Sequence, residues 1–359
     1  MGSRLGVFVR TDEGWQLYYD HWGAQSIGGD IALDGYAATM ERIRYMRPLD
    51  SSRPIDLEAV NYLEGTLVID ETSKTVFWNE ESQGLYLPRI INFLVEHSWP
   101  GWTAVWNAED HYSALQAMQV RPDLSKQDLD SSHLTIETAP WIGPWDEFEP
   151  EDAMAVTYHD GTTLLWHSEV FQGEVLAFSP EELYRLALKV RRQIEEGKQW
   201  AWKDTKRDEL PETGIHFDFT ENSIRWWSLY DNFLGVEAFN TNWQGWTYET
   251  VGDNYEWLEQ VTGETLRAWV ADVAQCRYYL RELVNGRFFN NRGLKLKEAL
   301  LEWGHRIDEG TGSFVFDPMR ERAHALNALH LLDELDTRGP IPPARYIDRH
   351  GNIVPPIRQ

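Results

Sequence analysis

Cysteine is nearly missing from this chain: Cys276 is the single one in 359 residues. One thiol excludes an intramolecular disulfide framework and any zinc site built on paired thiolates. Long apolar runs are missing too, and none approaches the roughly 20 residues of a membrane-spanning helix. The opening stretch, MGSRLGVFVRTDEGW, meets charge too soon for a signal peptide, and Gly6 stands where a myristoylation motif needs Ser or Thr. A cytoplasmic location without membrane contact is therefore expected. Catalytic signatures are also absent: there is no Gly-rich phosphate loop, Gly-x-Ser-x-Gly elbow, His-Glu-x-x-His, EF-hand loop or dinucleotide fingerprint. The 11 histidines contain no i, i+4 pair, and His324 and His330 fall on different faces of a helix, so no metal site is expected. No cofactor is called for.

Positive charge is the last scarcity. Lys plus Arg number 33 against 58 Asp plus Glu, a net charge of -25 at pH 7. From Glu264 onward there are 14 basic and 13 acidic residues, which leaves 19 and 45 in residues 1–263. That stretch carries the whole excess. Such a field repels nucleic acid and anionic membrane surfaces and accelerates encounter with a basic partner. With 42% hydrophobic residues, the chain can nevertheless bury cores for two or three packed domains.

An internal repeat organises the sequence. HSWPGWTAVWNAEDHYSAL (97–115) comes back as TNWQGWTYETVGDNYEWL (241–258), both with Trp-x-Gly-Trp-Thr. Upstream, GTLVIDETSKTVFW (65–78) matches GIHFDFTENSIRWW (214–227), and GVFVRTDEGWQLYYDHW (6–22) matches AVTYHDGTTLLWHSE (155–169). Apolar residues alternate on both sides of each polar turn, the pattern of hairpins with a buried face. A helical stretch separates the hairpins in each copy, at 30–47 and 179–197. The second has Ser179 as N-cap, Pro180 at N1 and Glu182 at N3. The fold expected is α+β: two tandem diverged copies of an antiparallel-sheet-plus-helix domain (1–122 and 153–262), joined by an acidic Pro/Trp-rich linker (123–152). A C-terminal helical segment (263–339) follows, with helices at 266–286, 294–308 and 319–339. A Pro-rich tail (340–359) completes the chain, too rich in proline for regular structure. Residues 86–99 read as an amphipathic helix, and 232–243 as a loop.

Trp-x-Gly-Trp is explained by packing: two indoles on one face of a strand, and a glycine where a neighbour comes too close for a side chain. Truncating Trp102 or Trp246 to alanine is then expected to cost about 3 to 5 kcal/mol. An exposed stacking platform is the alternative.

Polar residues beside the strands are the weak catalytic candidates: Asp20 and His21, Glu80 and Glu81, His167 and Glu169. A His next to a carboxylate suits a general base or metal ligand, and two Glu can share a proton. Strand ends also expose such residues without any function. A basic cluster at 285–297, with Arg287, Arg292, Lys295 and Lys297, suits docking of the C-terminal helices onto the acidic repeats. The functional expectation is an acidic binding protein that sequesters a basic protein partner, as an immunity protein or antitoxin does. Its contact residues are expected in the linker: Asp146, Glu147, Glu149, Glu151 and Asp152. The alternative is an enzyme whose site lies in the cleft between the two copies, where His21 and His167, or Glu80 and its surroundings, would converge.

Overall fold

The computed structural model describes residues 3–49, 63–81, 86–107, 152–168, 175–197, 211–229, 241–288, 299–305, 318–347 and 352–356, with a few isolated residues between them. β1 (Leu5–Thr11) and β2 (Gly14–Asp20) form the antiparallel hairpin that their alternation predicts. The helix α1 (Ile27–Ile43), kinked at Gly35, then crosses the sheet, and β3 (Arg47–Pro48) lies beside β2. β4 (Gly65–Asp70) returns parallel to β1, and β5 (Thr75–Asn79) folds back antiparallel on it. Helix α2 (Pro88–Ser98) leads to β6 (Thr103–Trp106), which runs parallel to β5.

The second half follows the same course. β7 (Asp152–Thr157) and β8 (Thr163–Ser168) pair as a hairpin. Helix α3 (Pro180–Glu195) begins on the expected capping box: Ser179 Oγ accepts from the Glu182 amide, and the Glu182 carboxylate accepts from the Ser179 amide. β9 (Thr213–Asp218) is parallel to β7, β10 (Ser223–Ser228) antiparallel to β9, and β11 (Thr247–Thr250) parallel to β10. The five-stranded order β11-β10-β9-β7-β8 therefore repeats the order β6-β5-β4-β1-β2 within the first sheet, pairing sense included.

The architecture is α+β with two sheets, but the sheets are mixed and not antiparallel. The reason lies in the connections. A long excursion through α1 or α3 lets the next strand return parallel to the first, as a tight turn cannot. The first sheet is buried on both faces. Val7, Val9, Leu67, Ile69 and Trp78 point to one core, and Phe8, Val68, Phe77 and Val105 to another.

Two further expectations are corrected. The two indoles of Trp-x-Gly-Trp do not share a strand face. Trp99 closes α2 and Trp102 opens the approach to β6, and between them Gly101 turns the chain at φ 82°. Gly245 does the same at φ 82°, and a Cβ on either glycine would meet nothing within 4 Å. The glycine serves the left-handed turn, not a close approach. Phe239 likewise accepts from the Trp243 amide at 2.9 Å, so the segment at 232–243 ends in a helical turn.

The tail is not irregular. β12 (Tyr346–Ile347) pairs parallel with β6, and β13 (Ile353–Val354) folds back on it, extending the first sheet to eight strands. Proline forbids donation only at its own nitrogen, so the tail's non-proline residues remain free to pair. Helices α4 (Tyr255–Thr262), α5 (Trp269–Phe288) and α6 (Pro318–Arg338) complete the chain. Tyr279, Leu280 and Leu283 of α5 lie against Gly29 of α1. Of the basic cluster, Arg292, Lys295 and Lys297 and the Arg287 side chain lie outside the described residues, as does most of the helix expected at 294–308, of which 299–302 are helical.

Candidate functional site

Among the described residues, the catalytic candidates are placed apart. Asp20 and His21 end β2 at the surface, where the Asp20 carboxylate caps the Trp22 amide at 2.7 Å and Tyr19 bonds the His21 ring at 3.0 Å. His167 is buried in the second half, with its ring stacked on Trp202 at 4.0 Å. His21 and His167 therefore share no pocket. Glu81 is exposed and takes a hydrogen bond from Ser3 Oγ at 3.3 Å. Glu169, Asp146, Glu147, Glu149 and Glu151 lie outside the described residues. Asp152, the last of the expected linker acids, begins β7 half-buried and accepts from Thr213 Oγ1 at 2.6 Å, a strand-to-strand bond. Among the described residues no cluster of His, Cys, Asp and Glu has the arrangement of a metal site.

Glu80 is the surprise of the set, because it is fully buried while its neighbour Glu81 is not. It follows β5 directly, so the strand carries it under the first turn of α1. There one oxygen accepts from the Gly28 amide at 2.5 Å, and the other has no partner among the described residues. Gly28 is required for this approach, since a Cβ there would meet the Trp78 ring at 2.3 Å and the Glu80 carboxylate at 2.9 Å. Burial holds the Glu80 carboxyl well above the ordinary carboxylate range, and the Gly28 and Gly29 amides offset only part of that. Cys276 and Tyr279, both buried close by, have their ionisation pushed out of reach by the same desolvation.

This gives a pH prediction. The folded pKa of Glu80 lies above its ordinary 4.5, so above that pH the folded protein keeps a proton that the unfolded chain releases. Its contribution is favourable at low pH and is lost as pH rises toward the folded value. Glu80→Gln cannot ionise and keeps an acceptor for Gly28. It is expected to raise the melting temperature near about pH 8 and change it little near about pH 4. Parallel melting curves of parent and variant across that range would overturn the assignment.

Among the described residues, a concave feature with mixed chemistry lies on the surface. Tyr36, Ala37, Met40, Glu41 and Arg44 of α1 and its C-cap, with Tyr45 and Glu71, line a groove of about 580 Å³. The Tyr36 hydroxyl donates to Glu71 at 2.5 Å, and its ring stacks on Trp102 at 4.9 Å. Burial first, and then the bond to Glu71, push the Tyr36 hydroxyl up to about 12, so it remains a donor at neutral pH.

The ground between the two halves is packed. One hydrophobic core includes Leu5, Trp78 and Trp106 of the first half together with Ala153, Trp227 and Leu258 of the second. At its rim Arg89, the second residue of α2, is 1% exposed in its side chain and pairs with Asp253 at 3.0 Å and Glu256 at 2.5 Å. The same guanidinium reaches the Ile341 carbonyl at 3.2 Å, and the other Asp253 oxygen accepts from the Ala344 amide at 2.8 Å. First half, second half and tail thus meet at one buried charge cluster. Burial opposes the charge on Arg89, but Asp253 and Glu256 more than offset it and keep the guanidinium ionised. At this point packed side chains and the tail fill the join between the two halves. Tyr346 spans the join, with β12 on the first sheet and its hydroxyl donating to the Thr250 carbonyl at 2.9 Å.

Sequence reading missed both the groove and this cluster. A row at Tyr36, Met40 and Arg44, each four apart, was open to view as one helix face. Nothing local connects Arg89 with Asp253, 164 residues away.

No family model, curated protein or solved structure matches the chain. No helix among the described residues is long and apolar enough to cross a membrane.

Proposed function

We propose that this chain is an acidic binding protein that sequesters or neutralises a basic protein partner, in the manner of an immunity protein or antitoxin. The observation that carries this reading is the charge: residues 1–263 hold 45 acidic and 19 basic residues. Exposed carboxylates at the strand turns, Asp12 and Glu13 in the first half and Asp160 and Glu221 in the second, support it. So does the placement of the described histidine candidates, His21 at the surface and His167 buried against Trp202. A cytoplasmic location and an aversion to nucleic acid belong to the same proposal, since a field of this sign repels phosphate backbones.

The two halves are proposed to be diverged copies of one domain. The repeated strand order supports this, as do small coincidences that packing alone would not impose. Lys74 and Asn222 take the same left-handed turn, at φ 55° and 52°. Trp99 meets Trp102 edge-on at 84°, and Trp243 meets Trp246 at 85°.

Salt tests the function. Association with the partner is expected to slow steeply as ionic strength rises toward 0.5 M, where the Debye length is only about 4 Å. Reversal of Asp146, Glu147, Glu149 and Glu151 to Lys is expected to weaken binding and leave melting nearly unchanged. Asp152 is best left alone because of its bond to Thr213. A protein that captures no basic partner at low salt, yet turns over a small molecule, would end this reading.

A further inference from the structure

We infer that the groove between the C-terminal half of α1 and the β4–β5 turn is an anchor pocket for one Arg or Lys side chain of a basic partner. This rests on the binding role proposed above and locates it. Three observations carry it. The lining combines aromatic rings with carboxylates: Tyr36 and Tyr45 stand with Met40 between Glu41 and Glu71. Aromatic faces and carboxylates together are what a guanidinium or ammonium seeks, because the ring quadrupole and the anion both attract a cation.

The aromatic wall of this groove also already carries a cation. The Lys74 ammonium lies 5.8 Å from the Tyr36 ring that lines the groove and 4.9 Å from the Trp102 ring stacked on it. Tyr36 itself is held in place from both sides, by its stack on Trp102 and by its hydroxyl bond to Glu71. A ring fixed in this way loses little freedom when a ligand settles on it.

The second half, finally, has the same frame with other chemistry. The residue after β4 is Glu71, whereas the residue after β9 is Phe219, which packs edge-on against Trp246 at 5.0 Å and meets Tyr184 at 4.7 Å. Asn222 stands at the turn position of Lys74. At the position that Glu71 takes in the first half, the second half thus has the Phe219 ring in place of a carboxylate. Arg44 lines the groove as well and competes for the site, so its removal is expected to tighten binding.

The probe is a fluorescein-labelled oligo-arginine peptide, with binding to the full chain followed by anisotropy at low salt. The parent protein is expected to bind it, with affinity falling as salt rises. Tyr45 is 38% exposed, so its replacement spares the core, and it carries no charge. Tyr45→Leu keeps apolar bulk without a π face and is expected to lose about tenfold in affinity, whereas Tyr45→Phe retains it. Arg44→Ala is expected to tighten binding more than Arg192→Ala, an equal charge change on the exposed face of α3. If the parent binds in a salt-sensitive way but Tyr45→Leu binds equally well, the groove proposal falls and the acidic-binder reading stands. If the parent does not bind oligo-arginine at low salt, both fall.

Discussion

Arg89→Ala is expected to cost the fold about 3 to 5 kcal/mol, the range for removing one partner of a buried ion pair. The guanidinium makes bonds that no other side chain can supply at that point: to the Asp253 carboxylate and carbonyl, to both oxygens of Glu256, and to the Ile341 carbonyl. Alanine leaves Asp253, itself fully buried, as an anion held among the described residues by the backbone amides of residues 89 and 344. Most of the cost is therefore the stranded charge and not the attraction itself. An exposed pair on the same molecule gives the control. Arg225 and Glu249 lie 2.8 Å apart with side chains 47% and 56% exposed, and Arg225→Ala is expected to change stability by no more than about 1 kcal/mol. Melting of the two variants side by side checks the contrast. Because Asp253 also bonds the tail, Arg89→Ala is expected to raise the proteolytic sensitivity of residues 340–347. Equal melting temperatures for the two variants would show that the cluster does not join the three parts.

What could be read in advance divides by sequence distance. The hairpins were legible because a strand pair closed by Asp-Glu-Gly or Asp-Gly has its pattern, turn and partner within about 15 residues. The capping box before α3 was legible for the same reason, since Ser179 and Glu182 are three residues apart. Parallel pairing was not: the partner of β1 lies beyond a 17-residue helix, and alternation does not say which neighbour a strand takes. The tail is harder to read because its proline content argues against regular pairing, while the buried apolar pair Tyr346 and Ile347 that forms β12 is only two residues long. At the candidate site, Glu80 stood in the sequence as one of two adjacent acids. A register of one residue, pointing Glu80 inward and Glu81 outward, decides which is buried. The groove needed Tyr36 and Glu71 to be brought together from 35 residues apart.

Trp99→Ala and Trp243→Ala are the other large effects expected, each about 3 to 5 kcal/mol from loss of a buried indole. Within each Trp-x-Gly-Trp the first indole is the deeper one. Trp99 and Trp243 are 0% and 1% exposed, whereas Trp102 is 8% exposed and Trp246 is only half-buried. Each deep indole also does a second task. Trp99 Nε1 donates to the Ile31 carbonyl of α1 at 2.9 Å, and Trp243 Nε1 donates to the Leu176 carbonyl just ahead of α3 at 3.0 Å. Trp99 is thus tied to α1 itself, and Trp243 to the segment that leads into α3. Phenylalanine fills most of the space but leaves that carbonyl without its donor, so Trp99→Phe is expected to cost about 1 to 3 kcal/mol and the alanine variant clearly more. Trp246→Ala is expected to fall below both deep alanine variants, since part of its ring already faces water. Thermal melting with circular dichroism ranks the four variants. If the Trp99 and Trp243 variants melt like the parent and instead lose affinity for a sugar or base, the indoles are a stacking platform, and the packing account of Trp-x-Gly-Trp is wrong.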